Sequence, residues 1–242
     1  MATDLAARVP LHVERWGRVS WREARQRQEW WWQELQRNAQ APDGLFLLEH
    51  DPVFTLGKRA RDSHLLVAKD ALRERGFDVV EADRGGEVTY HGPGQLVVYV
   101  VASLPRLGVG AADLVRTLAE ALRSVIAAFG IEARYDPQRP GLWVGDAKIA
   151  AVGMRIRRNV SLHGVALNVT TVLEDYRWIV PCGLPDAPVT SVLDQGVRGI
   201  AVPDLLSPVQ TALLALFPWR LSDGPVDDGW HAEAAATPWP AP

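Results

Sequence analysis

The sequence predicts an α+β fold, and three observations predict it. Strand-like apolar runs and helix-like amphipathic runs are intermixed along the chain without strict βαβ alternation. One long segment, 111–129, shows strong helical periodicity through Leu114, Leu118, Leu122, Val125 and Ile126. After it the rhythm changes to short apolar runs, two of them separated by a tight Gly145-Asp146 turn. With 242 residues, 48% of them hydrophobic and 23% charged, the chain can build one substantial core or two tightly joined lobes. No internal repeat is visible.

The elements follow in order. Residues 9–16 (VPLHVERW) alternate loosely and predict a first strand. Ser20, with Glu23 three residues on, reads as a capping box opening a helix to about Gln40. Trp30, Trp31 and Trp32 cover at least two faces of that helix and are expected to pack between it and the sheet. Residues 44–49 (GLFLLE) predict a buried strand, ended by the Asp51-Pro52 turn. A short helix over 68–75 stops at Gly76, which suits a left-handed C-cap, and 77–81 is a strand. The run 95–104 is apolar and β-branched, as a central strand would be. The helix over 111–129 ends at Gly130. Strands are expected at 141–144, 148–156 and 161–169, and a closing helix over 203–217 with Pro203 in its first turn. From Ser222 onward Pro, Ala, Gly and Asp dominate, which predicts a poorly ordered tail.

Composition narrows the function. A net charge of −3 and a pI near 6.1 argue against a general nucleic-acid binder. The single cysteine, Cys182, excludes an internal disulfide framework and suits a reducing compartment. The first ten residues lack the basic start and long apolar stretch of a secretory signal. The longest apolar runs are too short to span a bilayer. A soluble, cytoplasmic protein without membrane association is expected.

Three segments carry chemistry. Residues 84–95 read Arg84-Gly85-Gly86-Glu87-Val88-Thr89-Tyr90-His91-Gly92-Pro93-Gly94-Gln95, immediately before a strand. Paired glycines admit a ligand to the backbone, Arg84 can meet an anionic or carbonyl group, and Thr89 and His91 share a face if the stretch is extended. This is neither a P-loop nor a dinucleotide fingerprint, and a glycine-rich turn with a satisfied histidine explains it as well as a site does. Cys182 lies between Pro181 and Gly183, in a loop context suited to a pocket edge, although a lone cysteine is more often inert. Lys148 precedes the apolar stretch Ile149-Ala150-Ala151-Val152-Gly153. It is either solvated at a strand end or set in a semi-apolar cleft, where it can hold a thiolate or lose its proton. His163 and Gly164-Val165-Ala166 form a further candidate pocket wall. His91, His163 and Cys182 lack metal-ligand spacing, so no metal is expected. Arg155, Arg157 and Arg158 are either a solvated strand end or a landing site for an acidic partner protein.

Taken together these residues resemble the lipoyl(octanoyl) transferases of lipoate biosynthesis. The family pattern Arg-Gly-Gly-x-x-Thr-x-His-x-x-Gly-Gln is matched in full by residues 84–95. The lysine of Lys-Ile-Ala-x-x-Gly is matched at Lys148, and the nucleophile of Pro-Cys-Gly at Cys182. Order and spacing agree over roughly residues 44–217; the Trp-rich first helix and the tail after Leu221 fall outside the likeness. The resemblance implies a mixed β-sheet flanked by helices, similar to the catalytic domains of biotin and lipoate–protein ligases. With the composition of the chain's end, the expected organisation is one catalytic acyltransferase domain over 1–221 followed by a flexible tail over 222–242. The resemblance implies octanoyl–acyl carrier protein as donor and no cofactor. The acceptor would be a lysine on lipoyl domains of 2-oxoacid dehydrogenases or on the glycine-cleavage H protein. Cys182 would be the nucleophile and Lys148 its activating partner and general base. Arg84, Gly85, Gly86, Glu87, Val88, Thr89, Tyr90, His91, Ala151, Val152, Gly153, His163, Gly164, Val165 and Ala166 would line the acyl pocket.

The chemistry suits these residue types. A free thiol of pKa about 8.5 is only a few per cent thiolate at neutral pH, and an adjacent ammonium increases that fraction. Thioester exchange is nearly balanced in energy, so no ATP is needed. An acceptor lysine of pKa about 10.4 needs a base, and neutral Lys148 is the expected one, with His91 or His163 assisting or orienting the carbonyl. Three rivals make different demands. An ATP-dependent lipoate–protein ligase would need adenylate-binding features and no Cys182. A cysteine hydrolase would use water as acceptor, and a non-catalytic carrier-binding module would be indifferent to loss of the thiol.

Overall fold

The computed structural model describes residues 8–180, 188–222 and 227–228. In chain order the first half contains β1 (Val9–Val19), α1 (Trp21–Arg37), β2 (Asp43–His50), β3 (Val53–Leu56), a 3-10 turn at Asp62–His64, α2 (Lys69–Arg73), β4 (Asp78–Glu81), β5 (Val88–His91), β6 (Gln95–Val101) and α3 (Leu104–Leu107). The second half contains α4 (Ala111–Ala127), β7 (Arg134–Tyr135), β8 (Gly141–Val144), β9 (Ala147–Arg157), β10 (Val160–Asn168), a 3-10 turn at Leu173–Trp178, α5 (Val202–Leu216), β11 (Trp219–Leu221) and β12 (Asp227–Asp228).

These strands form the mixed sheet flanked by helices that the sequence predicts. The large sheet has the order β11-β1-β2-β6-β10-β9-β8-β7, with β12 also beside β1. β1 runs parallel to β2, β11 and β12, and the other pairs are antiparallel. A smaller sheet, β4-β3-β5, stands apart and was not visible as a unit from sequence. Its strands have four residues each, too few for a clear period.

The middle of the large sheet is buried on both faces, which explains its unbroken apolar runs. On β6, Leu96, Val98 and Val100 pack in the cluster that includes α4 and α5 residues, while Val97, Tyr99 and Val101 face the cluster beneath α1. On β2, Leu45 and Leu47 divide from Phe46 and Leu48 in the same way. Helix α1 starts as predicted, with the Ser20 hydroxyl accepting from the Glu23 N–H at 3.2 Å, but it ends at Arg37 rather than near Gln40. Its tryptophans divide their work. Trp31 is buried edge-on against Phe46 at 5.4 Å, whereas half-buried Trp32 donates to the Arg157 carbonyl at 3.1 Å beneath that residue's guanidinium.

The strand expected over 95–104 stops at Val101, because Asp43 captures the chain beyond it. Fully buried Asp43 accepts from the Ser103 N–H at 3.1 Å, from the Trp219 indole N–H at 2.9 Å and from Arg106 at 2.5 Å. It therefore joins β2, α3 and β11. Burial pushes its carboxyl upward, and the bonds from Trp219, Arg106 and Ser103 oppose that push. Asp43→Ala is expected to cost about 3–5 kcal/mol, because it leaves Arg106 and two N–H donors without their acceptor. Equilibrium urea denaturation measures this; an unchanged midpoint would contradict the assignment.

Candidate active site

The glycine-rich loop is clamped before it is functional. Its carbonyls at Glu87, Arg84 and Gly86 accept from the N–H groups of Gly57, Lys58 and Arg59 at 3.0, 3.1 and 3.0 Å, just beyond β3. The Gly85 N–H donates to the Met154 carbonyl of β9 at 2.8 Å. Glycine is required at 57, where a Cβ would stand 2.5 Å from the Gly86 oxygen, and at 86, where φ is +89°. Arg84 is buried and donates to the Thr55 hydroxyl from Nε at 3.1 Å, to the Thr55 carbonyl at 2.5 Å and to the Gly85 carbonyl at 3.0 Å. Those bonds tie the loop to β3 while the side chain also walls a cleft.

That cleft lies where the two sheets meet. The motif contributes Arg84, Gly86, Glu87, Val88, Thr89 and His91; β9 contributes Ala151, Val152 and Gly153. β10 contributes His163, Gly164, Val165 and Ala166, while Val97, Tyr99 and Trp21 complete the wall. Two expected members, Gly85 and Tyr90, are elsewhere. Gly85 lines a neighbouring cleft. Tyr90 packs on Phe54 and Tyr176 at ring separations of 5.4 and 5.5 Å, in the core of the small sheet. Strand alternation turns it away from Thr89 and His91. Gly164 is needed where β10 crosses β6, since a Cβ there would meet the Val98 carbonyl oxygen at 1.9 Å.

Three buried histidines gather around this cleft, and their partners set their tautomers. His91 Nδ1 lies 2.7 Å from the Gln95 carbonyl oxygen and donates to it, leaving Nε2 as an acceptor. His50 Nδ1 donates to the Val19 carbonyl at 3.0 Å, so Nε2 accepts from the Tyr99 hydroxyl at 2.8 Å. His163 Nε2 donates to Asp83 at 2.6 Å, and its Nδ1 has no hydrogen-bond partner among the described residues. His163 has φ +63°, and its ring stacks on Trp21 at 6.3 Å. Burial holds His50 down to about 4, and with the charges of His50 and Arg84 it holds His91 well below the usual histidine range. Burial also lowers His163, which Asp83 opposes without offsetting. Burial would raise Asp83 itself, but His163 and Arg25 hold it far below the usual carboxylate range. The cleft is thus walled by neutral imidazoles.

A second cleft opens beside the first and shares Gly86, Glu87, Val152 and Gly153 with it. Gly85 and Lys148 lie here. Lys148 is 6% exposed; its Nζ donates to the Pro140 carbonyl at 3.3 Å and sits 4.8 Å from the Trp143 ring centroid. A Cβ on Gly141 would come within 3.0 Å of the Lys148 Cε, so that glycine makes room for the side chain. The Lys148 backbone is bonded to the next passing segment: its N–H donates to Pro188 O at 2.8 Å, and its carbonyl accepts from Thr190 at 3.0 Å. Cys182 lies outside the described residues, six positions before Pro188.

The basic cluster at 155–158 is largely neutralised from within. Arg155 pairs with Asp83, Arg157 pairs with Glu29, and Arg158 lies over the Trp32 ring at 5.9 Å, which disfavours a free landing site there. Among the described residues no group of three His, Cys, Asp or Glu side chains could hold a metal, and no helix is long and apolar enough to cross a membrane. Sequence reasoning missed Asp83, His50, Tyr99, Trp21 and Gly141. A signal existed for three of them: Asp83 directly precedes Arg84, while His50 and Tyr99 are polar groups within apolar strands.

Comparison with known proteins identifies the family and the fold. The family described as "Lipoyl protein ligase A/B catalytic domain" matches residues 21–214. An "Octanoyltransferase" of Laribacter hongkongensis is 43% identical over 162 residues, covering 67% of this chain and 75% of that one. Another, of Xylella fastidiosa, is 46% identical over 179 residues, covering 74% and 73%. The chain belongs to the lipoyl protein ligase A/B catalytic-domain family. The fold is shared with a bi-partite lipoate protein ligase of Thermoplasma acidophilum (TM-score 0.65, 18% identity, 91% and 87% covered). A biotin protein ligase of Aquifex aeolicus is similar too (TM-score 0.51, 10% identity, 84% and 69% covered).

The buried histidines have a pH consequence. Their folded pKa values lie below the unfolded value of 6.5, so the unfolded chain binds more protons under mild acid. Stability is full above 6.5 and falls as the pH drops from 6.5 toward about 4, the folded value of His50. Asp43 and Glu49, raised by burial, oppose this at the acidic end. Urea midpoints should be lower at about pH 5 than at about pH 7.5; equal midpoints would show that these imidazoles are not held neutral.

Proposed function

We propose that this chain is an octanoyltransferase acting in the first step of endogenous protein lipoylation. It moves an octanoyl group from octanoyl–acyl carrier protein to a lysine on lipoyl domains of 2-oxoacid dehydrogenases and the glycine-cleavage H protein. The group passes through an acyl thioester on Cys182, and the reaction takes place in the cytoplasm. The observation that carries this reading is buried Lys148 in a groove sharing one wall with the cleft built by the 84–91 motif. The octanoyltransferase relatives, at 43% and 46% identity, support the acyl group and the reaction type. The hydrogen bond from Lys148 to Pro188 supports pairing Lys148 with the cysteine six residues before that proline.

The residues perform the chemistry in two exchanges. The Lys148 ammonium holds Cys182 as thiolate, which attacks the donor carbonyl carbon. The carrier thiolate leaves and takes a proton from Lys148, which is now neutral. The saturated chain lies in the first cleft against Val88, Val97, Val152, Val165 and Ala166. Neutral His91 and His163 suit that role, because an uncharged wall does not draw water against the chain. The acceptor ammonium gives one proton to solvent and attacks the acyl carbon as an amine. Lys148 takes its second proton as the amide forms, and Cys182 leaves as thiolate beside the restored ammonium. Every proton is accounted for, and no ATP is consumed.

The test is transfer in a defined mixture of protein, octanoyl–carrier protein and lipoyl domain, without ATP. Octanoylated lipoyl domain is expected by mass spectrometry. A product that appears only with ATP and free octanoate would instead establish a ligase, and free octanoate with unmodified domain a hydrolase. Lys148→Ala should lower transfer by about 10²–10⁴-fold. Lys148→Arg keeps the charge beside the thiolate but neither gives nor accepts the proton; the carrier thiolate can take its proton from solvent, so this variant should load Cys182 and fail to discharge it. Normal discharge by Lys148→Arg would remove Lys148 as the base.

A further inference from the structure

The loop after β3 carries Lys58, Arg59 and Arg61, all exposed. Elsewhere on the surface arginines have carboxylates to hand, as in Arg18 with Asp51, Arg116 with Asp113 and Arg123 with Glu120. No ion pair joins Lys58, Arg59 or Arg61 to a carboxylate among the described residues. The loop is not loose, since the N–H groups of residues 57, 58 and 59 are bonded to motif carbonyls. The backbone carrying Lys58 and Arg59 is therefore fixed against the motif; Arg59 lines the Lys148 groove, and Lys58 and Arg61 flank it in the chain. Close by in the chain, Leu66 is 56% exposed, more than the other large exposed apolar side chains of the described residues. The same stretch anchors the segment leading to Cys182: Leu66 N–H donates to Trp178 O, and Val180 N–H to His64 O, both at 2.9 Å.

We propose that Lys58, Arg59 and Arg61, with Leu66, form the docking surface for the acyl donor's carrier domain, an acidic protein bearing a phosphopantetheine thioester. This rests on the octanoyltransferase reading and assigns a partner to one rim of its site. Charge decides between the two macromolecules that must visit. A cationic rim attracts an acidic domain and the phosphate of its arm, and it repels the ammonium that the acceptor must bring. Glu87 lines the groove as well, with Oε2 3.9 Å from His64 Nδ1. Exposed cations with no ion pair among the described residues accelerate encounter and lose their effect in salt, because long-range steering is screened.

The experiment is the rate of Cys182 acylation by two octanoyl donors, the carrier-protein thioester and the N-acetylcysteamine thioester, in K58E/R61E. With the carrier protein at low salt the rate should fall at least about tenfold and lose most of its salt dependence. With the small thioester it should be unchanged, which also shows that the variant is folded. K58Q/R61Q should move the carrier rate the same way by less. An unchanged carrier rate overturns the proposal. So does a defect confined to discharge by the lipoyl domain, which would give this surface to the acceptor. Absence of acylation by either donor in the unaltered protein would sink the function reading, and this proposal with it.

Discussion

The molecule depends on a backbone clamp. Four hydrogen bonds hold residues 84–87 between the end of β3 and β9, and so dock the small sheet on the large one. Each is an ordinary amide–carbonyl bond worth roughly 0.5–1.5 kcal/mol net, so the energy is modest. The geometric effect is larger, because both clefts share Gly86 and Glu87 as wall. Arg84 reinforces the clamp from inside through its bonds to Thr55. The glycines here are a steric requirement: side chains at 57 or 86 would collide or force an unfavourable φ.

Burial then sets the electrostatics. The first cleft has titratable walls, yet His91 and His163, and His50 packed against His91, are held neutral and each tautomer is fixed by one partner. The second cleft holds the Lys148 amine against a carbonyl oxygen and the Trp143 ring. On the proposed octanoyltransferase reading the acyl chain takes the first environment and proton exchange the second, and their shared wall would bring the two together.

Much of this was legible in the sequence. The β2 and β6 runs, the α4 period and the Ser20 cap are local patterns that tertiary packing did not override. Thr89 and His91 share a face because residues 88–91 are indeed a strand, and the same alternation takes Tyr90 out of the cleft. What escaped notice depends on long-range partners. Asp43 ends β6 early through Ser103, 60 positions away, and no local period announces such a bond. Asp83 neutralises Arg155 across 72 positions, which undoes the reading of a basic cluster made from neighbours alone. The small sheet escaped because four-residue strands carry too little periodicity.

The central claim is that Cys182 carries the acyl group, and intact-protein mass spectrometry tests it most directly. The protein is mixed with octanoyl–acyl carrier protein, without ATP and without acceptor. The account predicts a single added octanoyl mass, absent in Cys182→Ala and discharged when a lipoyl domain is supplied. An adduct that persists in Cys182→Ala, or transfer to the lipoyl domain by that variant at the normal rate, would contradict it.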